Sequence, residues 1–185
     1  MKYPYRADHV GSLLRPAAVK HARAAHASGD LDDGGLKAAE DGALAGLIAA
    51  QVEAGMTVVT DGEMRRSFWH YDFLGMLEGF DLVERSEGVQ FAGIKLRPIF
   101  PTITGKLAFG DHPMIGHYEA VAAAAPEGVT PKISIPGPSC VHFRTAKDDI
   151  APAEYQDPEA LFADIVATYR DALKAFYAAG CRYLQ

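Results

Sequence analysis

Residues 52–63 read Val52-Glu53-Ala54-Gly55-Met56-Thr57-Val58-Val59-Thr60-Asp61-Gly62-Glu63, and this stretch decides the fold class. Just upstream, Leu36, Ala39, Ala43, Leu44, Leu47, Ile48 and Val52 fall on one helical stripe, so residues 36–54 predict an amphipathic helix. Gly55 then supplies the left-handed residue that commonly closes a helix. Met56-Thr57-Val58-Val59-Thr60 is a β-branched run suited to a buried strand. Asp61-Gly62-Glu63 turns the chain at the C-terminal end of that strand. The joint recurs as Tyr177-Ala178-Ala179-Gly180-Cys181-Arg182. A helix–glycine–strand joint used twice marks βαβ units and a parallel sheet.

Working outward, residues 7–12 are a short strand candidate, and Pro16 opens a helix-compatible run to His26. Residues 80–98 alternate apolar and polar around Ser86-Glu87-Gly88 and predict a β-hairpin excursion. Strands are expected at residues 101–105 and 132–135, with a helix over 115–124 between them. The strongest helix signal covers residues 158–179. Leu161, Ile165, Tyr169, Ala172 and Phe176 form its stripe, and Asp157 is placed as its N-cap. Residues 181–185 begin a further strand. The count is about five strands and four helices, whereas a closed (β/α)8 barrel has eight of each over roughly 250 residues. The expected architecture is therefore α/β, a partial TIM barrel carrying a hairpin insertion, with residues 1–185 as the N-terminal half of one catalytic domain.

Composition narrows the function classes. The chain has 185 residues, 49% of them hydrophobic and 23% charged, enough for one real core. A net charge of -6 argues against a general binder of nucleic acid or of anionic membranes. The two cysteines, Cys140 and Cys181, lie in no ligand-spaced motif, which points to a reducing, cytoplasmic setting. No apolar segment reaches signal-peptide or membrane-span length. Neither GxGxxG nor GxxxxGK[ST] occurs, so nucleotide binding has no motif behind it.

In parallel α/β architectures, chemistry sits at the C-terminal ends of the strands. Glu63 stands there after Gly62, placed to accept an ammonium group or to serve as a base; the bland alternative is a surface ion pair with Arg65 or Arg66. Ser12, after Gly11, offers a hydroxyl to a substrate carboxylate; the alternative is a turn serine. Asp61 and His9 flank these positions and complete a substrate-binding set of His9, Gly11, Ser12, Asp61 and Glu63. His9, His70 and His142 share no helical spacing and have no paired cysteine, so no metal ligands are assigned. Cys140 reads as a small packing residue rather than a nucleophile.

Three motifs then acquire a common meaning: Asp8-His9-Val10-Gly11-Ser12-Leu13-Leu14-Arg15-Pro16; Thr60-Asp61-Gly62-Glu63 with Arg66 and the aromatic segment to Phe73; and Pro136-Gly137-Pro138-Ser139. In this order and spacing the chain resembles the cobalamin-independent methionine synthase family, specifically its short, single-barrel bacterial members, methionine synthase II-like. The resemblance runs over residues 5–185. It implies a (β/α)8 barrel that transfers a methyl group to the thiol of homocysteine, a 5-methyltetrahydropteroyltriglutamate–homocysteine S-methyltransferase-like activity. It implies that Gly11 and Ser12 hold the amino-acid part of homocysteine and that Glu63 contacts its amino group. It also implies a zinc ion on the thiol, with ligands from later strands, beyond Gln185. The family's long members stack a folate pterin on a tryptophan after the Gly-Pro turn. Here that neighbourhood reads Val141-His142-Phe143-Arg144, so His142 and Phe143 mark the methyl-donor pocket, and the donor is a folate or a corrinoid. Alternatives are a related superfamily barrel, either a corrinoid- or coenzyme-M-linked transferase or a uroporphyrinogen-decarboxylase-like enzyme, and an inactive fragment. An open half-barrel exposes sheet edges, so self-association or pairing with the missing half is expected.

Overall fold

A computed structural model describes residues 8–86, 90–91, 94–95 and 97–185, with only the backbone described at 90, 91, 94 and 95. In chain order the elements are α1 (Ala17–Ser28), α2 (Asp33–Glu53), β1 (Val58–Thr60), α3 (Tyr71–Leu74), β2 (Glu78–Glu84), β3 (Gln90–Phe91), β4 (Ile94–Lys95), β5 (Ile99–Ala108), α4 (Met114–Ala124), β6 (Thr130–Lys132), α5 (Ser139–Arg144) and α6 (Pro158–Ala178). The chain divides into two compact units. One comprises Met1–Trp69, Met114–Ser134 and Phe176–Gln185; the other comprises His70–Pro113 and Ile135–Ala175.

The first unit is the parallel one. β1 and β6 pair in parallel, with Val58 opposite Thr130 and Thr60 opposite Lys132. Ile133 and Leu184 extend the ladder by one parallel bridge. Val19, Leu44, Ile48, Val59, Met64 and Val121 form the core between this sheet and helices α1, α2 and α4. Leu44 and Ile48 bear out the stripe read in α2, but Glu40 and Gln51 are buried on the same helix. Each has a partner. Glu40 lies 3.3 Å from the Arg23 guanidinium and 3.4 Å from that of Arg65. Gln51 donates to the Thr60 carbonyl at 2.9 Å and accepts from the Thr60 N–H at 3.0 Å.

The two glycine joints close in the same way. Gly55 has φ +86; its N–H donates to the Val52 carbonyl, and the Met56 N–H donates to the Gln51 carbonyl. Gly180 has φ +91; its N–H donates to Tyr177, and the Cys181 N–H donates to Phe176. Both are Schellman caps, in which a left-handed residue lets two further N–H groups satisfy the last helical carbonyls.

The second unit is built on an antiparallel pair. β2 and β5 run antiparallel with Phe80 opposite Ile103, and the register shifts between Glu78 and Phe80. Gly79 occupies that bulge at φ +72, where a Cβ would come 2.5 Å from the Lys106 carbonyl oxygen. Phe73, Phe109, His112 and Tyr169 pack as a ring cluster, with Phe109 and His112 stacked at 4.9 Å. Leu161, Ile165, Tyr169 and Ala172 of α6 are buried, as the stripe predicts. Asp157 Oδ1 accepts the Glu159 N–H at 3.0 Å, the capping bond expected at the start of that helix.

Two expectations are corrected. Residues 101–105 are a strand, but an antiparallel one within β5, and their single parallel contact is an isolated Ile103–Ile150 bridge. Proximity in sequence to the β2 turn decided this: the hairpin partner is available locally, whereas a parallel partner needs a long crossover. One of the about five expected strands is thus paired antiparallel. Residues 8–12 form no strand, and Ala7 lies outside the described residues. The Thr60 backbone, which a neighbouring strand would use on that edge of β1, is already taken by the Gln51 amide. Residues 139–144 form a short helix, α5, where the sequence analysis assigns no element. Of the predicted hairpin, residues 87–89, 92–93 and 96 lie outside the described residues.

Candidate functional site

The turn after β1 is the centre of the candidate site. Glu63 has φ +54, the one non-glycine residue in the left-handed region among the described residues, and it follows Gly62 at φ +58. Such a conformation costs an ordinary residue about 1–2 kcal/mol and persists only where its surroundings impose it. Those surroundings are visible. The Glu63 N–H donates to Asp61 Oδ1 at 3.0 Å. Arg15 donates to the carbonyls of Glu63 at 3.0 Å, Met64 at 3.1 Å and Arg66 at 2.5 Å. The Leu13 N–H donates to the Gly62 carbonyl at 3.0 Å. A Cβ on Gly62 would fall 2.8 Å from Leu13 Cβ, so only glycine admits that approach.

The Gly-Ser-Leu-Leu-Arg and Asp-Gly-Glu motifs therefore interlock, and their point of contact is polar. Ser12 Oγ donates to Glu63 Oε2 at 2.7 Å. Ser12 is exposed, while Glu63 is buried at 7% exposure. Gly11 precedes it at φ +85 with open space around its Cα. Asp61 is 1% exposed; its Oδ1 accepts from Glu63 and Thr60, and its Oδ2 is buried with no hydrogen-bond partner. His9 Nε2 is likewise buried without one. The ion-pair alternative for Glu63 is not what forms: Arg65 bonds Glu40 and Asp41, and Arg66 donates to the Ser134 carbonyl at 2.7 Å. An inward carboxylate beside a hydroxyl, with a second carboxylate oxygen unmatched nearby, is an arrangement suited to an ammonium-bearing ligand.

Residues that the motif reading missed surround this set. Lys132, at the end of β6, is 1% exposed. It donates to Asp8 Oδ1 at 3.0 Å, to Gln185 Oε1 at 2.8 Å and to the His9 carbonyl. Tyr183 OH donates to Asp8 Oδ2 at 2.5 Å. Burial would raise the Asp8 pKa, but the Tyr183 hydroxyl, the Lys132 ammonium and the His9 N–H together outweigh it and hold the carboxyl below its ordinary value. The available signal was a lysine inside the otherwise buried run Lys132-Ile133-Ser134-Ile135, where charge demands a partner. Burial raises the Cys181 thiol, which keeps it protonated and inert at neutral pH.

His142 and Phe143 belong to the other unit. Both are exposed; His142 meets the edge of Phe162 at 5.1 Å, and the Arg144 guanidinium lies 5.4 Å from the Phe143 ring. His142 and Phe162, with Lys147, Tyr155 and Leu161, line a half-open cleft of about 340 Å³. Among the described residues no three His, Cys, Asp or Glu side chains gather as a metal site, and no helix is long and apolar enough to cross a membrane.

Fold and site together define a class: an α/β protein with a parallel strand pair followed by a polar, carboxylate-bearing turn. Comparison with known proteins narrows it. The chain is 44% identical over its full length to "Uncharacterized protein YxjH" of Bacillus subtilis and 39% identical to "Uncharacterized protein YxjG" of the same organism. It spans about half, 48%, of each of these relatives. A solved structure described as "Putative Vitamin-B12 Independent Methionine Synthase" from Listeria monocytogenes superposes with TM-score 0.81 at 34% identity, over 97% of this chain and 50% of that one. A B12-independent methionine synthase from a Shewanella species, solved with selenomethionine, superposes with TM-score 0.64 at 22% identity, over 84% of this chain and 43% of that one, a likeness of fold. No protein-family model matches. The resemblance to cobalamin-independent methionine synthases read from the three motifs thus agrees with the description of the Listeria monocytogenes structure that this chain is similar to.

Proposed function

We propose that these residues form the amino-acid-holding part of a (β/α)8 methyltransferase barrel. The whole protein transfers a methyl group to the sulfur of homocysteine or a closely related thiol, giving methionine or its analogue. The observation that carries this reading is the 2.7 Å bond from Ser12 Oγ to a Glu63 carboxylate held in a left-handed conformation at a parallel strand end. In the bound state the Glu63 carboxylate accepts the ligand's ammonium group. Ser12, released from Glu63, turns its hydroxyl to the ligand's carboxylate. Asp61 fixes the Glu63 backbone and adds negative charge behind it. The similarity to a structure described as a methionine synthase supports the substrate class.

The zinc ion that the resemblance implies would favour the thiolate of the acceptor; among the described residues no three His, Cys, Asp or Glu side chains gather to hold it, and the part proposed for Ser12 and Glu63 is to bind and orient the amino acid. The methyl donor, a folate or a corrinoid, would meet the face carrying His142 and Phe143. Phe162, Val166 and Leu173 stand 45%, 54% and 56% exposed along α6, which supports self-association or pairing with a complementary barrel half. The setting is cytoplasmic.

The test is methyl transfer itself. A chimera continuing this chain into the second half of its Bacillus subtilis relative is incubated with zinc, homocysteine and methyltetrahydrofolate or a methylcorrinoid. Methionine formation is expected, falling on the order of 10- to 100-fold in Glu63→Gln through loss of one charge-assisted hydrogen bond. Turnover unchanged by that substitution overturns the role of Glu63.

A further inference from the structure

We propose that Lys132 is the positioning residue of the amino-acid site: its buried ammonium fastens residues 8 and 9 to the strand ends and so sets where Ser12 meets Glu63. This rests on reading the Ser12–Glu63 pair as the ligand site. Residues 8–15 belong to no strand or helix, so something other than a ladder must place them. At their far end the placement is by backbone: Leu13 bonds Gly62, and Arg15 grips the three carbonyls of the turn. At their near end it passes through Lys132, with Tyr183 as a second anchor on Asp8. All three ammonium hydrogens of Lys132 are engaged, by Asp8, by the His9 carbonyl and by Gln185. Tyr183 holds the other Asp8 oxygen. One side chain from β6 therefore joins the segment bearing Gly11 and Ser12 to residues 183–185. Lys132 also lies opposite Thr60 in the ladder, three residues before Glu63, so both halves of the candidate site are referred to the same strand ends.

The energetics point the same way. A buried ion pair seldom adds stability over an apolar replacement of similar volume, because desolvation offsets the attraction. Bonds to a buried ammonium are directional, however, and a triply engaged one fixes its acceptors in space. Here two of the acceptors are the Asp8 side chain and the His9 backbone carbonyl, four and three residues before Ser12.

The experiment compares the wild-type chain with the neutral pair Lys132→Met/Asp8→Asn and with Asp8→Asn alone. It reads thermal melting, backbone amide resonances and L-homocysteine affinity. In the neutral pair, melting close to wild type is expected, with displaced or broadened amide resonances at residues 9–12 and at least tenfold weaker binding. Asp8→Asn keeps the Lys132 bonds to His9 and Gln185 and is expected to move the same resonances less; it carries the test if the double variant does not fold. Unmoved amide resonances at residues 9–12 overturn the proposal. If the wild type binds no amino acid, the reading of the ligand site fails, while the amide resonances still decide the role of Lys132.

Discussion

Beside their aliphatic side chains, the two compact units bury different chemistry. In the unit carrying β1 and β6, the strand ends bury Asp61, Glu63, Arg66 and Lys132, each at 7% exposure or less. In the unit carrying β2 and β5, the corresponding interior is Phe73, Phe109, His112 and Tyr169. The aromatic cluster asks little of geometry beyond close packing, and burial pushes the His112 pKa down, countered by its bond to the Phe73 carbonyl. Charged interiors demand a partner for every atom. The strand-end network nearly achieves this, with orphaned atoms on His9, Asp61 and Arg66.

That contrast can be broken at several points. The largest effect is expected from Phe73→Ala, where a fully buried ring leaves a cavity; a loss of about 3–5 kcal/mol in chemical denaturation is predicted, with the Ser12–Glu63 site formed in whatever fraction stays folded. A smaller loss is expected to sit on His70, whose pKa is pushed down to about 4 by burial, then by the Arg144 charge, against the opposing pull of Asp72. A histidine depressed below its unfolded value of 6.5 contributes stability that is full above that pH and lost as the pH falls toward 4. Denaturation curves should therefore weaken by on the order of 3 kcal/mol between pH 7 and pH 4, and His70→Gln should flatten that dependence.

The two helix caps sharpen the comparison within the parallel unit. Gly55→Ala and Gly180→Ala meet no heavy atom within 4 Å, so strain at positive φ is the whole cost. Each should lose about 1–2 kcal/mol, and the two should lose alike; unequal losses would mean that the joints are not equivalent. The smallest stability effect belongs to the site. Glu63→Gly relieves the left-handed strain but adds freedom to the unfolded chain and removes the Ser12 bond, so a net change within about 1 kcal/mol is predicted. Amino-acid affinity should vanish in the same variant, separating function from fold.

Much of this was legible in the sequence, and for identifiable reasons. The glycine joints at 55 and 180 were readable because a helix stripe, a left-handed residue and a β-branched or apolar run are all local signals. The turn that carries Glu63 was readable because it follows a β-branched run, a local signal; Ser12 was read from a strand end that does not form, and its bond to Glu63 comes from a contact 51 positions apart that no local pattern gives. The antiparallel pairing of residues 99–108 was not, since alternation alone does not give strand direction. The absence of a strand at residues 8–12 was hidden in Gln51, whose amide occupies the Thr60 backbone from a helix nine residues earlier. Lys132 was passed over because a lysine at a strand end ordinarily faces water. What buries it is Asp8, 124 positions away in the chain.

The central claim is that Glu63 and Ser12 receive the amino-acid end of a thiol substrate. Calorimetric titration of L-homocysteine and of its desamino analogue into the wild-type chain and into Glu63→Gln tests it most directly. The account predicts that wild type binds L-homocysteine at least tenfold more tightly than the desamino compound, and that Glu63→Gln abolishes this preference. Equal affinity for the two ligands in wild type, or a preference that survives Glu63→Gln, would contradict it.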